Sequence, residues 1–376
     1  MAITPFNTMS TSTLPSSMPD TVSGPPAGQA PVAVMFAVTS AWTMCLAVTL
    51  HSLARHSSPH RSYELWVVHD GLEEEHMEGL QNAVSGYPNV ALQFMTIPGK
   101  LEQMLHDRDV RRFSALAYAR LLAPSLFPRH ARMVYLDADT VLYADAAELY
   151  DADLHGAPLG AIRDTAVLSS LVAGYPRRQL RKLQPLGLHD PFHYFNSGVL
   201  VLDLGRMREE DAESRLIRFI EEHNEMLEHP DQDALNIVFH RQISPLPIEW
   251  NYHFQFELEK DGLEEAIAGT EFAGVSGIHA LRAWKLFHMI GAKKPWLFPE
   301  KSEEYIMSAA VWWKPAMETA ALQPHLSQLL AEFTQRTRRQ LRHNQWHLPF
   351  SFGKSFRKRR ARINLLKRLL RIFEEA

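Results

Sequence analysis

The strongest constraint on the fold is a rhythm of short apolar runs alternating with helical stretches over the first 140 residues. Val32–Val38 (VAVMFAV) has no polar member, so it reads as a strand buried on both faces. Tyr63–Val68, Val90–Ile97 and Met133–Leu136 read as further strands. Between them, helices are predicted from a Thr39-Ser40 cap through Cys45, Val48 and Leu53, over Glu73–Val84, and in Ser114–Leu122. Strands alternating with helices predict an α/β fold with one Rossmann-like, mixed, mostly parallel sheet covered on both faces. Ligands bind such sheets outside the carboxyl ends of the strands. Later come a short strand at Gly160–Ile162, a strand-like run from Tyr194 to Leu204, and helices over Glu213–Leu227 and Asp231–Phe239. The stretch from Trp250 to about Phe272 reads as irregular, and no internal repeat is present.

One of these strands carries chemistry. Val134–Leu142 reads VYLDADTVL, an apolar strand ending in Asp137 and Asp139 and followed by a second apolar pair. Alternation along a strand points both carboxylates the same way. Hard divalent cations such as Mn²⁺ or Mg²⁺ take oxygen ligands and often complete their shell with phosphate, so the pair suggests a metal that clamps a diphosphate.

Composition narrows the class. Hydrophobic residues make up 46% of 376, enough for a substantial core. The single cysteine, Cys45, rules out an internal disulfide framework and a multi-cysteine zinc site; it reads as a buried thiol, consistent with a reducing compartment. Residues 1–30, rich in Ser, Thr, Pro and Gly, read as a disordered arm without the basic start of a secretory signal. Pro31–Leu50 is uncharged, but its polar Thr39, Ser40, Thr43 and Thr49 favour strand, loop and helix over a membrane span.

Four segments, Tyr135–Asp139, Phe195–Gly198 (FNSG), Asp231–Asn236 (DQDALN) and His288–Trp296 (HMIGAKKPW), together and in this order resemble glycosyltransferase family 8. That family includes bacterial lipopolysaccharide galactosyl- and glucosyltransferases and glycogenin-like enzymes. The resemblance runs from about Val32 to Trp296 and implies a GT-A nucleotide-sugar fold over residues 31–300, UDP-galactose or UDP-glucose as donor, Mn²⁺ or Mg²⁺ as cofactor, and retention of anomeric configuration. It implies Asp137, Asp139 and His288 as metal ligands. Ala37, Thr39, Trp42, Arg120, Asp137, Ala138, Asn196, Asp231, Gln232, Gly291 and Lys294 would contact the donor, and Asp164 would face the acceptor. Gln232 or Asp233 would be the catalytic candidate if retention proceeds through two inversions; same-face attack, with the UDP phosphate oxygen as base, is the expected route. The chain departs from the family after its first strand. An acidic pair is common there, and Thr39-Ser40 stands in its place, leaving Thr39 to bond uracil and Trp42 to stack on it. A nucleotide-sugar-binding or hydrolysing protein without transfer activity is the alternative.

The net charge of −4 hides an asymmetry. From Arg336 to Arg371 there are 13 Lys/Arg and no acid, and the remaining 26 basic residues face 43 acids. Arg357–Arg362 (RKRRAR) leads into Ile363, Leu365, Leu366, Leu369, Leu370, Ile372 and Phe373 at helical spacing. Residues 301–376 therefore read as a basic helical tail. An anionic membrane surface is its first expected partner, docking on the protein itself the second, and nucleic acid a distant third. Lipooligosaccharide transferases have a similar tail. The expected acceptor is a glycan or glycolipid, lipopolysaccharide core oligosaccharide first, and the expected location is cytoplasmic, peripheral on the inner face of the cytoplasmic membrane.

Overall fold

The computed structural model describes residues 30–97, 115–172, 178–252, 284–291, 294–297, 303–319, 322–348 and 353–375. The arm expected over 1–30 and most of the stretch after Trp250 lie outside the described residues.

The alternation predicted from sequence is present. β1 (Val32–Val38), α1 (Thr43–His56), β2 (Tyr63–His69), α2 (Glu74–Val84) and β3 (Val90–Thr96) lay down three parallel strands. β1 sends Val32, Val34, Phe36 and Val38 into one core and Ala33 and Met35 into the other, which is why its sequence has no polar member. β4 (Arg132–Leu136) then pairs on the far side of β1, so the chain reverses its direction of travel across the sheet between β1 and β4. β5 (Thr140–Leu142), β6 (Leu159–Arg163), α3 (Thr165–Val172), β7 (Phe195–Asp203), α4 (Ala212–His223), α5 (Pro230–Val238), β8 (Ile243–Pro245) and β9 (Leu286–His288) follow. The main sheet has the order β3-β2-β1-β4-β7-β6-β8. β7 runs antiparallel to both its neighbours, and the other pairings are parallel. β5 pairs antiparallel with β9 in a small second sheet.

Three local expectations are corrected. The Thr39-Ser40 start is a 3₁₀ turn over Ser40–Trp42 ahead of α1, with no side-chain cap bond from Thr39; Thr43 Oγ1 instead donates to Ser40 O at 2.9 Å. Ala115–Tyr118 is also a 3₁₀ turn rather than an α-helix. Asp137 and Asp139 stand on the tight turn between β4 and β5, not on a strand.

The C-terminal helices α6 (Glu303–Glu318), α7 (Gln323–His347) and α8 (Gly353–Glu375) complete the structure. Ile363, Leu366, Leu369 and Phe373 of α8 are buried, and Leu369 and Phe373 belong to the same core as β1. Trp313 meets Phe333 at 5.7 Å and Phe373 at 5.8 Å between ring centroids. The self-docking ranked second from sequence is what the apolar face does. Arg357, Lys358, Arg360, Arg362, Lys367 and Arg371 stay exposed on the other face. No described helix is long and apolar enough to cross a membrane.

Candidate active site

The reversal between β1 and β4 leaves a crevice at their carboxyl ends, and the motif residues converge there. Asp137 leaves β4 with its N–H bonded to Gly198 O at 2.8 Å. Because β7 is antiparallel, it delivers its first residues, Asn196 to Gly198, to the edge where β4 ends. β9 brings His288 alongside Thr140, and Met289 N donates to Asp139 O at 2.9 Å. Thr49 of α1 reaches up from below, its hydroxyl 2.7 Å from Ala138 O and 2.6 Å from Thr140 O, and pins the turn.

Asp137, Asp139 and His288 each present one ligand atom, all within 4.8 Å of one another. His288 Nε2 lies 3.5 Å from Asp137 Oδ2 and 3.2 Å from Asp139 Oδ1. The other oxygens are taken. Asp137 Oδ1 accepts from Arg120 Nη2 at 3.0 Å and from the Tyr135 hydroxyl at 2.8 Å, and Asp139 Oδ2 pairs with Lys294. Two carboxylate oxygens and one imidazole nitrogen are a donor set suited to a divalent metal ion. The room beside them depends on Gly198: a Cβ there would lie 2.3 Å from His288 Cε1 and 2.5 Å from Asp137 Oδ2. The residues present therefore fit a divalent ion.

Cations surround the pair. Burial pushes the Asp139 carboxyl up, but His288 and Lys294 outweigh that and hold it below the usual carboxylate range. Arg120 is buried, stacks over Tyr135 at 4.3 Å, and bonds Ser197 O at 2.6 Å while its Nε lies 3.4 Å from Asp231 Oδ2. Burial works against its charge, yet Asp137, Tyr135 and Asp231 raise its pKa overall. Gly291, with φ +93°, turns the chain after β9 in a conformation that favours glycine. Lys294 Nζ then sits 5.3 Å from the Trp42 ring centroid, which places the Ala37–Trp42 end of β1 against the metal loop.

The sugar-side candidates form one largely enclosed network, with Asn196 and Asp164 half-buried at its edge. Gln232 Oε1 accepts from Ser197 N at 3.0 Å and Asn196 Nδ2 at 3.2 Å, while its Nε2 donates to Asp164 Oδ2 at 3.0 Å and the Tyr194 hydroxyl at 3.2 Å. Asp231 Oδ2 accepts from Ser197 Oγ at 3.0 Å. Asp233 departs from its expected role. It is fully enclosed, and its oxygens accept from Tyr194, Gln179 and the backbone N–H groups of Glu228 and His229. It stands behind Gln232 as a support. Burial pushes its carboxyl up, against the pull of those donors.

Tyr135, Tyr194, Ser197, Gly198 and Asn251 also build the site. All but Asn251 lie in or beside quoted motifs. Asn251, 2% exposed in the 3₁₀ turn Ile248–Asn251, carries no signal in the spacing.

A profile described as Glycosyl transferase family 8 matches residues 33–299, most of the chain. The chain belongs to glycosyl transferase family 8. Among curated family relatives, General stress protein A of Bacillus subtilis (strain 168) is 24% identical over 249 residues, 65% of this chain and 80% of that one. The Lipopolysaccharide 1,2-glucosyltransferase of Escherichia coli (strain K12) is 27% identical over 186 residues, 49% of this chain and 50% of that one. Among solved structures, the WbbM bifunctional glycosyltransferase superposes with a TM-score of 0.65 at 26% identity, over 81% of this chain and 52% of that chain. The galactosyltransferase LgtC in complex with donor and acceptor sugar analogs gives a TM-score of 0.55 at 19% identity, over 87% of this chain and 100% of that one, a likeness of fold. The chain thus spans only about half of the lipopolysaccharide enzyme and of WbbM. The architecture is the GT-A fold, and a family 8 glycosyltransferase is a transferase.

Proposed function

We propose that this family 8 transferase moves a hexose, galactose or glucose, from a UDP-sugar to a glycan acceptor with retention, dependent on Mn²⁺ or Mg²⁺. The observation that carries this reading is the convergence of Asp137 Oδ2, Asp139 Oδ1 and His288 Nε2 beside a space that only glycine at 198 leaves open. An ion held there would supply positive charge to the departing diphosphate. Lys294 adds a point charge on the same side, and Arg120 locks Asp137 to Ser197 so that the ligand oxygen keeps its direction. Trp42, 38% exposed, offers a face for uracil, and Thr39 a hydroxyl.

Gln232, Asn196 and Asp231 supply fixed donors and acceptors for a hexose. Asp164, bonded to Gln232 and capping α3 through Val167 N at 2.9 Å, marks the acceptor side. Gln232 has no ionisable oxygen and Asp233 is enclosed, which favours same-face transfer with the leaving phosphate as base over a covalent intermediate. A glycolipid acceptor, lipopolysaccharide core first, is supported by the name of the E. coli relative and by the exposed basic face of α8, which suits the anionic inner face of the cytoplasmic membrane. The absence of a carboxylate at Thr39-Ser40 leaves hydrolysis of the UDP-sugar as the second reading.

The test is calorimetry of UDP with and without Mn²⁺ on wild type and Asp139→Ala, followed by turnover of UDP-galactose and UDP-glucose with and without glycan acceptors. Mn²⁺-dependent binding lost in the variant, with transfer exceeding hydrolysis, is the expected result. Wild type that binds no UDP in the presence of Mn²⁺ overturns the donor assignment.

A further inference from the structure

A single file of side-chain hydrogen bonds runs from the sugar pocket to the metal centre, and every bond in it points the same way. It begins at Asp233, whose carboxylate accepts from Tyr194 and from backbone N–H groups. The Tyr194 hydroxyl has one proton, and with that given to Asp233 its lone pairs receive Gln179 Nε2 at 2.8 Å and Gln232 Nε2 at 3.2 Å. Gln232 Oε1 accepts from Asn196 Nδ2 at 3.2 Å. Asn196 Oδ1 accepts from Asn251 Nδ2 at 2.9 Å. Asn251 Oδ1 then lies 2.9 Å from His288 Nδ1.

Two backbone groups forbid the reverse polarity. Ser197 N, a donor only, faces Gln232 Oε1 at 3.0 Å, and Gly198 N faces Asn196 Oδ1 at 2.9 Å. A flipped amide at either position would set N–H against N–H in a largely enclosed network, leaving both donors without an acceptor. With Asn196 fixed, the group of Asn251 that faces it must be the amide nitrogen, so the group that faces His288 must be the carbonyl oxygen. A carbonyl oxygen only accepts, so Nδ1 of His288 must carry a proton.

We infer that Asn251 is the positioning residue of the metal centre. It holds the proton of His288 on Nδ1, so that Nε2 faces Asp137 and Asp139 as a ligand, and through Asn196 it ties that orientation to the sugar-binding amides. The inference rests on the proposed metal dependence and adds to it the partner that sets the ligand's tautomer. An outer partner of this kind typically changes metal affinity 10–100-fold when it is lost.

Two measurements test it. Free Mn²⁺ is titrated by its electron paramagnetic resonance signal against wild type, Asn251→Leu and Asn251→Asp, with thermal unfolding as a check on folding. The position of the His288 ring proton is read from two-bond ¹H–¹⁵N spectra of metal-free wild type and Asn251→Leu. The expected result is a proton on Nδ1 in wild type, redistributed between the ring nitrogens in Asn251→Leu. Mn²⁺ affinity should fall at least tenfold in Asn251→Leu and by less in Asn251→Asp, which keeps an acceptor for Nδ1 but sets its second oxygen against Asn196 Oδ1. A wild-type His288 with Nδ1 bare overturns the inference even if no Mn²⁺ binds, an outcome that would separately remove the metal-dependent reading. Unchanged Mn²⁺ affinity in a folded Asn251→Leu also overturns it.

Discussion

At the scale of single residues, the site is governed by what fits beside a carboxylate. Gly198 is the sharpest case, because a Cβ there would collide with His288 and Asp137 and cannot rotate away. Gly198→Ala is expected to abolish Mn²⁺-dependent UDP binding by calorimetry while far-UV circular dichroism stays that of wild type. Asp139 gives a pH signature. Its carboxyl is lowered in the folded protein by His288 and Lys294, against the pull of burial, so its contribution to stability is complete above the unfolded carboxylate range, about pH 4, and is lost as pH falls from there through the lower folded value. The stability gap between wild type and Asp139→Asn, from urea unfolding without metal, should shrink as pH falls below about 4. The convergence of Asp137, Asp139, His288 and Gln232 is legible because their motifs are short and local. Asn251 and the supporting role of Asp233 are not, because contacts between residues 196, 251 and 288 leave no period in the sequence.

At the scale of elements, the strands were legible and their directions were not. Val32–Val38 is apolar throughout because both of its faces are covered, and this sets its boundaries to the residue. β7 is covered in the same way, so nothing in its composition distinguishes an antiparallel strand from a parallel one, although that reversal is what brings Asn196–Gly198 to the site. The turn carrying Asp137 and Asp139 has the sequence pattern of a strand end, since apolar residues flank it on both sides. What holds that turn is the packing of α1 beneath it, through Thr49. Thr49→Val keeps the shape and removes the hydroxyl. It should cost about 1–3 kcal/mol in urea unfolding, the range for buried polar groups left without a partner, and weaken Mn²⁺ binding several-fold.

At the scale of the whole molecule, the C-terminal helices are part of the body. Rings follow one another from Trp42 to Trp296, Trp312 and Trp313, and from there to Phe333 and Phe373, with centroids 5.0–6.2 Å apart. The amphipathic pattern of α8 was legible, but an apolar face reads the same whether it meets a membrane or its own core. Truncation at residue 352 is therefore expected to uncover Trp313 and destabilise the protein. Phe373→Ala alone should cost about 3–5 kcal/mol in urea unfolding. The membrane reading is better tested by reversing exposed charges, Lys358, Arg360 and Arg362 to Glu. That variant should keep the thermal midpoint of wild type and sediment less with vesicles containing anionic lipid, the difference vanishing in high salt.

The pairing of β5 with β9 also has a consequence for synthesis. Asp137 and Asp139 leave the ribosome some 150 residues before His288. A nascent chain can complete the strands as far as β8 with the two carboxylates in place and still lack the imidazole, because β9 has not been made. An ion of the kind proposed could be gripped by Asp137, Asp139 and His288 together only once nearly the whole GT-A body has been translated, so tight metal uptake would mark the end of folding rather than direct it.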